Sequence, residues 1–592
     1  MAPKNLLQIF ASSVKKRGNA PCFRFKENGK WESLTWNEAY LQVLDLAGGL
    51  KKLGVVKGDR VCLFSRSRYE WTLADLAILA TGAITVPIYE SSLPEQAAYI
   101  IENAGAKVVF CEDPLSFKKI ESVRQKLPNL KQIILFVPGE KKDGVYSLDE
   151  LMILGKGEGE ALFAKMSAEL GTETEASYVY TSGTTGPPKG AVLTHGNFLA
   201  EIFALKKNLD FPTRTESLLF LPLAHILARC VQFAQIENGF VQCYAESIDK
   251  LMDDIAQVKP HLMASVPRIF EKVHTRVMQG VETSSEGKKK IFNWALKVGN
   301  ERAGRVLAKK GISPLLALQW KIAYALVFSK LHKKMGGRIE YFISGGAPLS
   351  KDIAQFFFAA GFLILEGYGL TETTAAVTLN SRENLKIGTV GKPLVGAEIR
   401  IAEDGEILVR GPLVFKGYYK KPEDTAQALT ADGWFHTGDI GLIDEDGFVK
   451  ITDRKKDIIV TAAGKNIAPQ NIESLFKTDP LISQVMIHGD NRKYLSALIT
   501  LNKDEVLSYA RDKKISFRDY SDLVKNETIY HLIKGRIEEK NRQLAKYETI
   551  KKFAILDNDF SVETGELTPT MKVKRKFTSE KYKSILDQFY QE

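Results

Sequence analysis

The chain has 592 residues, 44% of them hydrophobic and 26% charged. These are ordinary values for a folded globular protein, but the length exceeds one core, since single cores stop growing at roughly 250–300 residues. Lysine and arginine outnumber the acids 82 to 71, a formal net charge of +11; this permits contact with anionic lipid, while the lack of an aromatic-basic motif or arginine-rich tail argues against a nucleic-acid partner.

In chain order, 36–53 carries apolar residues at helical spacing and ends at Gly54. Arg60–Phe64 reads as a short strand, 74–81 as a helix ending at Gly82, and Ile84–Ile88, Val108–Cys111 and 133–137 as further strands. Strands alternating with helices predict a parallel, doubly wound sheet. The stretch 312–331 comes nearest to a membrane span, yet Pro314 sits near its start and Lys321 near its middle, whereas a spanning helix needs about 20 mostly apolar residues. It reads as a core helix with solvated lysines. Lys288, Lys289, Lys290, Lys309, Lys310, Lys333 and Lys334 surround it, so docking of a helical surface onto anionic lipid is the alternative. From about residue 390 the pattern changes. Glu398–Ile401 and 406–409 flank Asp404-Gly405, and 440–443 and 448–451 flank Asp446-Gly447, a signal for antiparallel hairpins. The charged run 453–457 precedes a last segment of mixed α/β pattern, which places a domain boundary between 1–455 and 456–592. Five scattered cysteines, Cys22, Cys62, Cys111, Cys230 and Cys243, form no Cys-x-x-Cys pair and have no histidine at zinc spacing; they read as buried thiols in a reducing compartment. The N-terminal stretch lacks the continuous apolar core of a signal peptide, and a cytoplasmic location, with peripheral membrane contact left open, is the expectation.

Residues 180–190 read Tyr-Thr-Ser-Gly-Thr-Thr-Gly-Pro-Pro-Lys-Gly, between strand-like runs at 176–180 and 191–195. Glycines let the backbone approach a ligand closely, successive amides form an anion-binding nest, and hydroxyls with Lys189 complete a pocket suited to a polyphosphate. The spacing is not that of a Walker loop. The segment resembles the phosphate loop of the adenylate-forming superfamily of acyl-CoA synthetases, adenylation domains and luciferases.

Other motifs of that superfamily follow in order. Gly-Tyr-Gly-Leu-Thr-Glu-Thr occupies 367–373, behind a strand-like run. Tyr368 between two glycines can lay its ring on a flat base, Thr371 can donate to a phosphate, and Glu372 can hold Mg²⁺, which favours oxygen ligands. The resemblance implies that Thr181, Ser182, Gly183, Thr184, Thr185, Gly186 and Lys189 hold the phosphates of ATP. It also implies adenine against Tyr368 and Gly369, and Mg²⁺ on Glu372 with Thr184. Gly345, Gly346 and Ala347 would meet the adenine edge, and Asp439 and Arg454 the ribose. His225, in Leu-Pro-Leu-Ala-His, resembles the histidine on the carboxylate side of the site. Gly464 and Lys465, in Gly-Lys-Asn-Ile-Ala-Pro, resemble the loop lining the pantetheine tunnel. In Leu-Thr-Pro-Thr-Met-Lys-Val-Lys-Arg (567–575) a lysine would serve adenylation; most of the superfamily has Gly-Lys here, and the lack of that glycine leaves Lys574 a competitor, while the Thr-Pro-Thr-x-Lys-x-Lys-Arg form, which resembles the long-chain fatty acyl-CoA synthetase branch, favours Lys572.

The fold implied is a large N-terminal domain of two α/β sheets with a small distorted β-barrel, followed by a small mobile α+β domain pivoting at Lys456. The reaction implied joins a fatty acid to ATP as acyl-AMP, then to coenzyme A. Ser-Val-Pro-Arg-Ile-Phe-Glu-Lys (265–272), the lysine-bearing tail and the insertion 270–335 resemble the long-chain fatty acyl-CoA synthetase branch. A fatty acid–acyl carrier protein ligase, a synthetase for medium-chain or aromatic acids, and a non-catalytic basic membrane-binding protein are the alternatives. The oligomeric state is open, a homodimer included.

Overall fold

The computed structural model describes residues 2–139, 142–181, 187–211, 215–568 and 571–591. Two large sheets dominate it. The first has seven strands in the order Val145–Ser147, Gln132–Leu135, Val108–Cys111, Arg60–Phe64, Ile84–Ile88, Glu175–Thr181, Lys189–Thr194. All its pairings are parallel except the last, Glu175–Thr181 with Lys189–Thr194. The second has nine strands, and its six inner ones, from Ile364–Tyr368 to Pro21–Glu27, run parallel. Val108–Cys111 and Ile84–Ile88 are buried along their whole length, the continuous apolar run expected of a parallel strand covered on both faces.

One core holds residues of both sheets, such as Val61 and Val179 from the first and Phe23, Leu219 and Tyr244 from the second. Helix Tyr69–Ala80 lies within it and is buried from Glu70 to Ala80. It begins five residues before the expected 74–81, because a helix buried on every side has no polar face to mark its start. Its Asp75 pairs with Arg229 of helix Ile226–Asn238 at 2.9 Å, both side chains fully buried. Gln232 donates to the other Asp75 oxygen at 2.7 Å, and Arg229 donates to Ser177 Oγ at 3.1 Å on the first sheet. Removing one member of such a pair leaves a buried charge uncompensated, at a cost of about 3–5 kcal/mol.

Where the small barrel is expected, Glu398–Ile401, Glu406–Arg410, Phe435–Ile443 and Val449–Arg454 form a four-stranded antiparallel sheet in that order. Both Asp-Gly turns are present. Beyond it, Ile482–His488, Leu495–Leu501 and Ile550–Ile555 form a three-stranded sheet with its own core, including Ile472, Phe476, Ile529 and Ile533 from flanking helices. The five cysteines are buried and free.

The stretch 312–331 is not a core helix. Helix Pro314–Ala323, a π turn at Tyr324–Phe328 and helix Ser329–Lys334 lie on the surface, with Leu316, Ala323 and Phe328 buried and Leu315, Leu318, Ile322 and Leu326 exposed. Its composition is apolar enough for a core, but the body of the protein covers only one side. No helix among the described residues is long and apolar enough to cross a membrane.

Candidate active site

Strand Ile364–Tyr368 delivers Tyr368 at its end, and a single turn of 3-10 helix, Thr371–Thr373, follows. Gly369 between them is required by crowding: a Cβ there would lie 1.4 Å from the carbonyl oxygen of Ala375. The turn buries Glu372 and leaves Thr371 half-buried. Burial pushes the Glu372 carboxyl above its ordinary range, as desolvation disfavours a carboxylate. Tyr418 donates to Glu372 Oε1 at 2.8 Å. One buried hard-oxygen donor, with phosphate and water oxygens to complete the shell, fits the habits of Mg²⁺. Among the described residues no group of three or more His, Cys, Asp or Glu stands ready to hold a metal unaided.

Asp439 and Arg454 face each other across the antiparallel pair Phe435–Ile443 and Val449–Arg454. The Arg454 Nε lies 3.0 Å from Asp439 Oδ1, and the Tyr368 hydroxyl donates to Asp439 Oδ2 at 2.7 Å. Three expected nucleotide contacts are thus one connected unit. Gly345 and Gly346 follow strand Tyr341–Ser344, and Gly346 holds a φ of +81°, which a side chain would strain. A Cβ on Gly345 would sit 3.5 Å from Leu227 Cδ2 and 3.7 Å from the Gly367 carbonyl, so the turn lies against both the Tyr368 strand and the helix that starts after His225. Ala347 is exposed beside it.

His225 caps helix Ile226–Asn238 by accepting the Leu227 N–H on Nδ1 at 3.2 Å. The neutral ring therefore carries its proton on Nε2. Burial first, and the charge of Lys572 second, push its pKa down to about 4. Lys572 comes from the C-terminal segment, in a turn where its N–H donates to Thr568 Oγ1 at 3.1 Å and Met571 takes a φ of +62°. The residue is exposed, yet desolvation by the groups around its ammonium, and then the charge of Arg454, lower its pKa to about 8, against the pull of Asp439 and Glu372. Lys574 instead starts helix Arg575–Lys581, its N–H bonded to the Glu566 carbonyl at 2.7 Å.

The phosphate loop is described only at its ends, and Ser182, Gly183, Thr184, Thr185 and Gly186 lie outside the described residues. Thr181 pairs with Lys189 across the strands that the loop joins. Lys189 forms an ion pair with Asp424 of helix Pro422–Ala428, and its ammonium lies 5.3 Å from the centre of the Tyr418 ring. Sequence reasoning missed both Tyr418 and Asp424. The segment around them bonds to the strand leaving the loop through Val192 N–H to Gly417 O (2.9 Å) and Tyr419 N–H to Gly190 O (2.8 Å), and the Phe415 N–H reaches Glu372 O at 2.8 Å. It joins the two main motifs, yet it lies about 230 residues from one of them and carries only a Gly-Tyr-Tyr signal.

Two expected residues stand apart from this cluster. Gly464, with φ +71°, and Lys465 form the tip of the hairpin Ile459–Val460 and Asn466–Ile467, where Lys465 neighbours Thr461 and Tyr547. Lys456 is exposed in the turn after Arg454, while Lys455 before it is tied by its N–H to Gly438 and by its ammonium to Asp404 and Glu406. Arg268 of the Ser-Val-Pro-Arg motif reaches the C-terminal segment, donating to Ser483 Oγ at 3.2 Å.

Residues 10–419 match the family model described as AMP-binding enzyme, and 456–592 match that of the AMP-binding enzyme C-terminal domain. The chain belongs to the AMP-binding enzyme family. Among curated members it is 40% identical over 566 residues to the long-chain-fatty-acid–CoA ligase FadD15 of Mycobacterium tuberculosis, covering 95% of this chain and 93% of that one. It is 31% identical to the human long-chain-fatty-acid–CoA ligase ACSBG2, covering 99% and 92%. Among solved AMP-binding folds, the adenylation domain of a Mycobacterium chelonae carboxylate reductase superposes with a TM-score of 0.80 at 20% identity, covering 99% of this chain and 91% of that one. The anthranilate CoA ligase AuaEII, in complex with anthranoyl-AMP, gives 0.75 at 18%, covering 99% of each. The adenylate-forming resemblance read from the motifs thus holds for the family and the fold. Lys572 lies in the segment matched by the C-terminal AMP-binding model, and its described electrostatic partners Glu372 and His225 lie in the other.

Proposed function

We propose that this chain activates a long-chain fatty acid with ATP and transfers it to coenzyme A. The carrying observation is the connected unit of Tyr368, Asp439 and Arg454, joined at 2.7 and 3.0 Å, in a chain 40% identical to a long-chain-fatty-acid–CoA ligase. In the first step a carboxylate oxygen attacks the α-phosphorus of ATP, the bond to the bridging oxygen breaks, and pyrophosphate leaves. Negative charge concentrates where these groups meet, and a cation fixed there lowers the barrier; Lys572 serves this role. Tyr368, Asp439 and Arg454 hold the adenosine, with Thr371, Lys189 and the loop 181–186 on the phosphates. His225 donates its Nε2 proton as a hydrogen bond to the acid's oxygen without giving it up. Glu372, with Thr184, would hold Mg²⁺, which when bound would neutralise charge on the phosphate oxygens.

In the second step the thiolate of coenzyme A attacks the acyl carbonyl, the anhydride bond breaks, and AMP leaves. Lys572 at the α-phosphate and a thiol at the adjoining carbonyl compete for one space. The segment 456–592 therefore turns about Lys456 between the steps, bringing Gly464 and Lys465 to the path of the thiol. The same reading takes 1–455 as the nucleotide- and acid-binding domain, working in the aqueous phase with a membrane surface within reach of its apolar substrate.

Pyrophosphate release measured against acids of increasing chain length, with coenzyme A and acyl carrier protein offered separately, tests this. Release that depends on a long-chain acid, with thioester formed only on coenzyme A, is expected. Thioester on the carrier protein alone, or a preference for short or aromatic acids, would replace the proposal, and no release with any acid would end it.

A further inference from the structure

Helix Pro314–Ala323, the π turn Tyr324–Phe328 and helix Ser329–Lys334 run on without a break. One side is fastened to the body. Leu316, Ala323 and Phe328 belong to a buried cluster with Phe292 and Phe357, and Arg302 lies 4.6 Å from the centre of the Trp320 ring. The other side carries Leu315, Leu318, Ile322 and Leu326, exposed by 66%, 56%, 44% and 51%. Their spacings of three, four and four residues set them on one stripe. Single exposed leucines are normal on a protein surface, whereas a contiguous stripe marks a contact.

The charge around the stripe says with what. From 302 to 339 the chain has nine lysines and arginines and no aspartate or glutamate. Lys309, Lys310, Lys321, Lys330, Lys333 and Lys334 are all exposed, and among the described residues none of them has an ion-pair partner. A second copy of the same face would set these cations against each other. A protein partner is disfavoured too, because interfaces between proteins are depleted in lysine and built on aromatic and arginine anchors seated in pockets. An aliphatic stripe on a segment whose own charges are all basic fits an anionic bilayer: leucines enter the acyl boundary and lysines reach the headgroup phosphates on their flexible stems. We propose that this face docks the protein onto anionic lipid, the rod lying on the membrane and not across it. The inference goes beyond the catalytic reading and does not depend on it.

The test is co-sedimentation of the full chain with vesicles of phosphatidylcholine alone or mixed with phosphatidylglycerol, over a range of salt. The wild type should sediment with the mixed vesicles at low salt, less as salt rises, and little with phosphatidylcholine. Leu318→Ser/Ile322→Ser/Leu326→Ser leaves the buried Leu316, Ala323 and Phe328 in place and should lose roughly tenfold or more in vesicle affinity. Lys330→Glu/Lys333→Glu/Lys334→Glu should lose as much and flatten the salt dependence. Both variants should keep the wild-type melting temperature, and wild-type pyrophosphate release with a fatty acid delivered on cyclodextrin. Sedimentation decides the docking even if no release is found. The proposal is overturned if the wild type ignores the mixed vesicles or if both variants bind like it. Concentration-dependent self-association that the serine variant abolishes, without vesicle binding, overturns it equally.

Discussion

Lys189, the one cation of the phosphate loop, is bound to the carboxylate of Asp424, 235 residues further along the chain. A triphosphate that uses this lysine competes with Asp424 for its charge. The pair is partly open, its side chains 35% and 28% exposed, and pairs of that kind are worth about 0–1 kcal/mol. Asp424→Asn should therefore lower KM for ATP by up to about fivefold, with little change in kcat at saturating ATP. An unchanged or raised KM would mean that Asp424 assists nucleotide binding and does not compete with it.

Glu372 is buried, with Tyr418 donating to one oxygen. Glu372→Gln keeps the shape and removes the charge, so half-saturation of pyrophosphate release should need more Mg²⁺ and the maximal rate should fall. Tyr418→Phe removes only the hydrogen bond and should have the smaller effect on the same titration. Wild-type metal dependence in the glutamine variant would take Mg²⁺ away from this residue.

The pH dependence follows from Lys572 and its lowered pKa of about 8. A lysine whose folded pKa lies below its ordinary value is cationic below that value and loses its charge as pH rises through it. Adenylation measured as kcat/KM, which reports the free enzyme, should fall as pH rises through about 8. Lys572→Arg should move that limb upward, since arginine stays charged. His225, held down to about 4, contributes no limb near neutrality. An alkaline limb unmoved in the arginine variant would assign it to another group.

Much of the architecture is legible in the chain because it is written in local signals. Four-residue apolar runs such as Val108–Cys111 became buried parallel strands, and Asp404-Gly405 and Asp446-Gly447 became hairpin turns. The candidate site residues are legible as motifs, each of which occupies one short segment. The structure adds relations between segments. Tyr418, in an irregular stretch, and Asp424, in the short helix that follows it, bond to Glu372 and Lys189 from segments too short to show a periodicity. Asp75 and Arg229 form a buried pair although neither stands out in its helix. The stripe on 314–326 has core composition, and only its neighbours reveal that half of it faces solvent.

Lys455 is held on the N-terminal side by Gly438, Asp404 and Glu406, and Lys456 is the first exposed residue beyond it. Proline holds φ near −65°, and hinges need freedom at few positions. Lys456→Pro should retain pyrophosphate release and lose thioester formation, measured as separate half-reactions. Acyl-CoA made at the wild-type rate would place the pivot elsewhere or remove the need for rotation.

On the proposed mechanism Lys572, supplied by the C-terminal segment, serves the first step and not the second. The direct test is Lys572→Ala assayed in both halves, with Lys574→Ala beside it. Pyrophosphate release should fall roughly 10²-fold or more, comparable to the loss of one oxyanion donor at about 3 kcal/mol. Thioester formation from supplied acyl-AMP and coenzyme A should survive, and Lys574→Ala should keep both activities. Undiminished pyrophosphate release in Lys572→Ala would rule this lysine out as the cation of the first step.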